Sequence, residues 1–252
     1  MSRAPLLSLV AALALSGCAS SPALEPEDSR GWVASPKASG EACDACGRRE
    51  GAFVWGEGRR DERVSCAPCH AQAISSRRAA LETLTEARGE LLERFAIDLS
   101  EVPVKLELTD QPGLLARAGD TISHPELRAF TEIREQLLDE RVVERQLTIV
   151  ALGGLPRPFL LGIFVHELFH VWQALQGVSE VGEAALREGA ALYVQHRVLK
   201  ARGETRWAHA LEVSRDPVYG RGLRRFQKLV AARGEPAALE LGAKERRFPP
   251  GF

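Results

Sequence analysis

Apolar positions along the chain follow two kinds of repeat. Between Ala71 and Ala96, residues Ile74, Leu81, Leu84, Leu91, Leu92 and Phe95 recur at roughly helical spacing. That predicts one long helix with a charged outer side, on which Arg77 and Arg78 are a solvated face. From Val102 to Leu108 the pattern alternates, with Val102, Val104, Leu106 and Leu108 on one side, as in a half-buried strand. Leu127 to Leu138 reads as a helix, and Val142 to Leu152, rich in Val and Ile, as a second strand. Between Pro156 or Pro158 and Gly177 the chain is apolar nearly all round, the mark of a buried helix bounded by a proline start and a glycine stop. Helical spacing continues through Ala201–Val213 and Leu223–Ala232, and Gly234 to Phe252 is less regular. A helix-rich α+β fold with a small sheet is the expectation.

Composition narrows the function classes. The chain has 252 residues, of which 45% are hydrophobic and 27% charged, enough for one medium domain and a small appendage. The formal net charge of −1 leaves no basic field to hold nucleic acid, and 6% aromatics are too few for a stacking platform. The one long apolar run, Leu6 to Leu15, lies behind Arg3 and has the length of a signal sequence rather than a membrane span. It ends in Leu15-Ser16-Gly17-Cys18, which resembles the bacterial lipobox. The resemblance implies a signal peptide over residues 1–17 and lipidation of Cys18. Ala19 after that cysteine favours the outer membrane of the cell envelope. A plain secretory signal is the rival reading. Residues 18–40, with Pro22, Pro26 and Pro36, read as a flexible tether whose one large apolar residue is Trp32.

Four further cysteines form two C-x-x-C pairs, Cys43/Cys46 and Cys66/Cys69, separated by residues 47–65. This is the spacing of a four-thiolate zinc finger over residues 41–72, with Gly47 suited to the tight turn after the first pair. Phe53, Val54 and Trp55 supply a strand and a minimal core, and so small a unit needs a metal to hold it. Two disulfides are one rival. The other is a haem on Cys66-Ala67-Pro68-Cys69-His70, with His124 as distal ligand, since the only Met is Met1. The haem reading leaves Cys43 and Cys46 without a role.

Residues 166–170 read His166-Glu167-Leu168-Phe169-His170, an H-E-x-x-H. On a helix, positions four apart lie about 40° from each other around the axis, so both imidazoles reach one metal. Glu167 stands beside them as a general base for water. A metal-free reading makes the histidines a buried pair satisfied by surrounding Glu residues. The longer pattern with Gly and His three and six residues beyond the second histidine is excluded, because Gln173 and Gln176 occupy those positions. Glu188-Gly189-Ala190-Ala191 resembles instead the E-G-x-A element of glutamate-zincins, which implies Glu188 as third ligand, with Glu183 and Glu180 as rivals. Gly189 would let the two metal-bearing helices approach closely. His196, about 80° further round the same helix, is a candidate oxyanion-stabilising group.

Together these motifs resemble the LIM-containing, ubiquitin-activated peptidases of plant organ-size control and their bacterial relatives. The matching stretches are Gly154-Leu155-Pro156, His166 through Trp172, Arg187-Glu188-Gly189, His196, Tyr219-Gly220-Arg221-Gly222 and Phe248-Pro249. The match covers about Lys105 to Phe252 and is densest from Leu152 to His196. It implies a zincin-like peptidase domain over residues 73–252, with His166, His170 and Glu188 on a catalytic zinc and Glu167 as base. His196 or Tyr219 would stabilise the oxyanion, and the strand upstream of the metal helix would pair with extended substrate. A second, structural zinc belongs to Cys43, Cys46, Cys66 and Cys69. The chain departs from the family in having one four-Cys unit (a zinc ribbon or half-LIM) and Arg187 where the family has a second acidic residue. An envelope protein meets no ubiquitin, so the plant substrates and activation do not transfer. The expectation is a lipid-anchored zinc metallopeptidase acting on peptide or protein substrates, with a protein partner for the ribbon and none among nucleic acids. The alternative is an inactive zinc-binding interaction module.

Overall fold

The computed structural model describes residues 34–36, 40–55, 62–119, 127–138, 141–177 and 182–252. The signal sequence, Cys18, Trp32, His124 and Glu180 lie outside them.

The N-terminal unit is a three-stranded antiparallel sheet in the order β1 (Ala34–Pro36), β2 (Gly51–Trp55), β3 (Arg63–Cys66), followed directly by the short helix α1 (Ala67–Ala71). Its first strand lies within the stretch expected to be tether. Ala34, Ser35 and Pro36 sit opposite Trp55, Val54 and Phe53. Backbone pairing asks little of the added strand's side chains, so a Pro- and Ser-rich segment can still take the edge of a β-prone strand.

The helix expected from Ala71 is two elements. Ala73–Ile74 (β4) pairs with Leu155–Pro156 (β8), and α2 starts only at Arg77 and runs to Phe95. Ser76 caps it, accepting from the Ala79 amide at 3.2 Å. Ala80, Leu84, Ala87 and Leu91 form its buried stripe.

A second sheet has the order β5–β7–β6, with β5 (Val104–Thr109) parallel to β7 (Arg141–Leu152) and β6 (Ala129–Leu138) antiparallel to it. Helix α3 (Gln111–Ala118) follows β5 and is capped by Asp110, whose Oδ1 accepts from the Gly113 amide. The expected helix at Leu127–Leu138 is therefore a strand, paired with β7 from Ala129↔Ala151 to Leu138↔Arg141 with one register shift between Gln136 and Leu137. Its apolar positions fit either period. Phe130, Thr131 and Ile133 favour the strand, and the adjacent β7 decides by pairing with it along its whole length. β7 is the central strand, with both edges occupied, so it cannot take up a peptide. Among the described residues no strand pairs with the outer edge of β6.

Helix α4 (Arg157–Leu175) passes through the core and packs on α2, α5 (Ala184–Ala201) and β6. It is long and apolar enough to cross a membrane, but 72% of its most apolar window is buried inside the fold. Its all-round apolarity is that of a core helix. The close approach of α4 to α5 runs through Gly162, where an added Cβ would lie 3.0 Å from Leu199. Gly189 serves a different contact from the one expected. A Cβ there would stand 2.5 Å from the backbone of Gly222 on α7 (Tyr219–Arg233). Helix α6 (Thr205–Val213) connects α5 to α7, and α8 (Glu235–Lys244) occupies the C-terminal stretch expected to be irregular. Its buried face is mostly small, Ala238, Leu239, Gly242 and Ala243, and such residues leave a faint hydrophobic period.

The finger is seated on the larger unit. Trp55 packs on Gly154, where any Cβ would come within 3.0 Å of the indole. Arg63 donates to the Gly153 carbonyl at 3.0 Å, and Trp207 Nε1 to the Ala45 carbonyl at 2.8 Å. The Gln72 carbonyl accepts from the Arg157 amide at 2.8 Å, at the first turn of α4.

Candidate metal centres

In the finger, the sulfur atoms of Cys43, Cys46, Cys66 and Cys69 all lie within 4.8 Å of one another. Cys43 and Cys46 sit on a turn in which the amides of Cys46 and Gly47 both donate to the Cys43 carbonyl, and Gly47 has φ +69. Cys66 ends β3 and Cys69 lies on α1, so strand and helix deliver the second pair. Asp44 ties the two pairs together by backbone and side-chain bonds to Val64. All four are free cysteines gathered at one point. Tetrahedral zinc with bonds of about 2.3 Å spaces its sulfurs by a little under 4 Å, and Cys46 and Cys66 are 3.5 Å apart. The hydrogen bond from Cys69 leads the effects that bring Cys43 down to about 4, and the same bond, with burial, pushes the Cys69 thiol up. Burial raises Cys46. The cluster thus holds a thiolate at neutral pH, the form that ligates metal. Both cysteines of the C-x-x-C-H motif are committed to this group. His70 stacks on Phe53 with ring centroids 3.7 Å apart and leans on Trp55.

The second group lies in the core. Residues His166 and His170, one turn apart on α4, meet Glu188 from the first turns of α5. His170 Nε2 is 3.0 Å from His166 Nε2, and Glu188 Oε2 is 3.2 Å from each. Ligands on a tetrahedral zinc with bonds of about 2.0–2.1 Å stand about 3.3 Å apart, so this donor set fits such an ion in both chemistry and spacing. Burial works against the charged form of His170, yet the Glu188 carboxylate beside it prevails and pushes it up to about 9. Burial would raise Glu188, but His170 and His166 hold it well below the usual carboxylate range. A site that so favours positive charge between its donors suits a metal cation.

Three neighbours complete the arrangement, and sequence reasoning assigned none of them a role in it. The Thr131 hydroxyl on β6 lies 2.8 Å from Glu167 Oε2 and 3.0 Å from the Glu167 carbonyl oxygen, holding that carboxylate from the sheet. The misread β6 hid this residue. Arg187 donates to the other oxygen of Glu188, Oε1, at 3.2 and 3.3 Å, which leaves Oε2 to face the histidines. Gln173 meets His170 Nδ1 at 2.7 Å. The signal for it was the amide three residues beyond the second histidine of H-E-x-x-H on the same helix.

The remaining candidates separate. The phenol of Tyr219, at the start of α7, is pushed up by burial and then by the carboxylates of Glu188 and Glu167, so it stays a protonated donor near them. His196 is buried two turns along α5, about 12 Å of helix rise beyond Glu188. There its Nε2 meets Glu212 Oε1 at 2.6 Å, a partner away from the His166 cluster. Glu183 is tied to Arg225 and the Phe248 amide near the C-terminus, and so is not free to act as third ligand.

Fold and sites together define a mixed α+β protein with, among the described residues, two clusters of side chains that can hold metal. No family model, curated protein or solved structure matches this chain.

Proposed function

We propose that the protein is a zinc-dependent peptidase, with His166, His170 and Glu188 holding a catalytic ion and the four cysteines a structural one. The observation that carries this reading is the buried triangle of donors at 3.0–3.2 Å, with Glu167 beside it braced by Thr131. Two imidazoles and a carboxylate are the ligand set of catalytic zinc sites that keep a fourth position open. An ion there would polarise a scissile carbonyl and make water a better nucleophile. Glu167 would take the proton from that water and deliver it to the leaving amine. With Thr131 on Oε2, its other oxygen is left for this traffic. Tyr219, kept protonated, is favoured over His196 as the donor to the developing oxyanion.

The substrate reading follows from the sheet. β6 offers the outer edge nearest to Glu167, so an extended peptide would add there by backbone pairing. The zincin-like fold, the likeness to the bacterial relatives of LIM-containing peptidases, and anchoring to the envelope through Cys18 belong to the same proposal.

The test is Glu167→Gln in a peptide-library cleavage assay with zinc counted in parallel. The variant should retain its zinc and lose turnover by at least about 100-fold, the scale of general-base catalysis. A variant that cleaves like wild type removes Glu167 from the mechanism. Wild type that cleaves nothing while carrying both ions favours a non-catalytic binding role.

A further inference from the structure

Gln173 lies three residues beyond His170 on α4 and is 2% exposed. A primary amide so deeply buried must satisfy both of its ends. Its Nε2 donates to the carbonyl of Gly242 on α8 at 2.8 Å and to that of Arg187 on α5 at 3.3 Å. Both partners are acceptors only, so the amide cannot be turned over. Its Oε1 therefore faces His170 Nδ1, at 2.7 Å, and an amide oxygen also only accepts. Nδ1 thus carries a proton, and Nε2 is the nitrogen that faces His166 and Glu188 and would be free to bind a metal. His166 has no such support: its Nδ1 is buried without a hydrogen-bond partner among the described residues.

We propose that Gln173 is the positioning residue of the core metal centre. It fixes the ring of His170 with Nε2 as the ligating nitrogen, and it takes its own orientation from the backbone of α5 and α8. Partners of this kind orient metal-bound histidines and raise their basicity, and their loss costs roughly 10–100-fold in metal affinity. The inference rests on the reading of His166, His170 and Glu188 as a zinc site. It adds that the site is completed by a helix, α8, that supplies no ligand.

The experiment measures zinc stoichiometry and affinity by chelator competition on the purified full chain, as wild type, His166→Ala and Gln173→Met, with thermal melts of the metal-free proteins. Wild type should bind two ions and His166→Ala one. Gln173→Met should keep the finger ion and bind the second 10–100-fold more weakly, with little change in melting temperature. Wild-type affinity in Gln173→Met overturns the inference and leaves the zinc-site reading standing. If Gln173→Met also melts early, Gln173→Glu decides, since it keeps an acceptor for Nδ1 but loses the donors to the two carbonyls. Recovery of the second ion's affinity supports positioning, and no recovery overturns it. A single ion in wild type, unchanged in His166→Ala, instead sinks the zinc-site reading, and this inference with it.

Discussion

Thr131 reaches Glu167 from β6, and its single hydroxyl spans both the side chain and the carbonyl of that residue. The contact does not include His166, His170 or Glu188, so its role is separable from theirs. Thr131→Val keeps the shape of the side chain and removes the hydroxyl. Loss of one such hydrogen bond to a carboxylate is worth about 1.5–3 kcal/mol, or roughly 10- to 100-fold in rate. Steady-state kinetics should show kcat reduced on that scale, with KM and zinc content near wild type. Unchanged kcat would mean that Glu167 needs no brace. Arg187 works on a neighbouring carboxylate in a similar way, holding one oxygen of Glu188 so that the other is aimed at the histidines. Around each carboxylate of the site, then, a donor chooses which oxygen is presented.

At the scale of elements, the candidate ligands come from two helices whose spacing is set by glycines. Gly162 brings α5 against α4, and Gly189 with Gly222 brings α7 against α5 beside Glu188. A Cβ at Gly222 would lie 2.5 Å from the Ala185 carbonyl, so the crossing is closed from both sides. Backbone atoms cannot rotate out of the way as a side chain can. Gly189→Ala should therefore lower stability by at least about 1–3 kcal/mol, as overpacking does, read as a fall in Tm of several degrees. Gly89→Ala is the control, because nothing lies within 4 Å of its Cβ. In that helix alanine is neutral or stabilising. Equal melting of the two variants would show that α5 and α7 can part without cost.

For the whole molecule, one polar network ties α2 to α4 and to the end of α5. Glu86 binds Arg157 at 2.9 Å and Arg202 at 2.5 Å, and Arg202 also binds the buried Glu90. Burial alone would raise the Glu86 carboxyl, but Arg157 and Arg202 outweigh it and hold it below its ordinary 4.5. A carboxylate with a depressed folded pKa adds stability above its unfolded value and loses it as pH falls through the folded one. Wild type should therefore lose more stability than Glu86→Gln between about pH 5 and pH 3, a window set by the ordinary carboxylate pKa. Denaturant melts at both pH values give the comparison, and parallel losses would show that the network contributes nothing. The finger shares this integration. Trp55 on Gly154, Arg63 on Gly153 and Trp207 on Ala45 seat it at the start of α4, the helix that carries His166 and His170.

The sequence by itself determined most of the candidate metal-holding residues. H-E-x-x-H and each C-x-x-C pair are spaced by local geometry, since i,i+4 on a helix or C-x-x-C on a turn brings two donors together whatever surrounds them. Glu188, by contrast, was implied by the resemblance to glutamate-zincins and reaches the histidines only through the packing of α5 on α4. The sequence also determined α4 as a helix with an apolar surface all round, while its place in the core rather than a membrane shows only in the burial of 72% of its most apolar window. Tertiary structure decided the rest. Leu127–Leu138 fits two periods, and only pairing with β7 made it a strand and so delivered Thr131 to Glu167. Ala34–Pro36 carries no strand signal and is held by the edge of β2. Gln173 and His196 show the same division: each is a polar residue on a largely buried helix, and the sequence cannot say which way it points. The partners, Gly242 on α8 for one and Glu212 on α6 for the other, are long-range contacts made only when the helices pack.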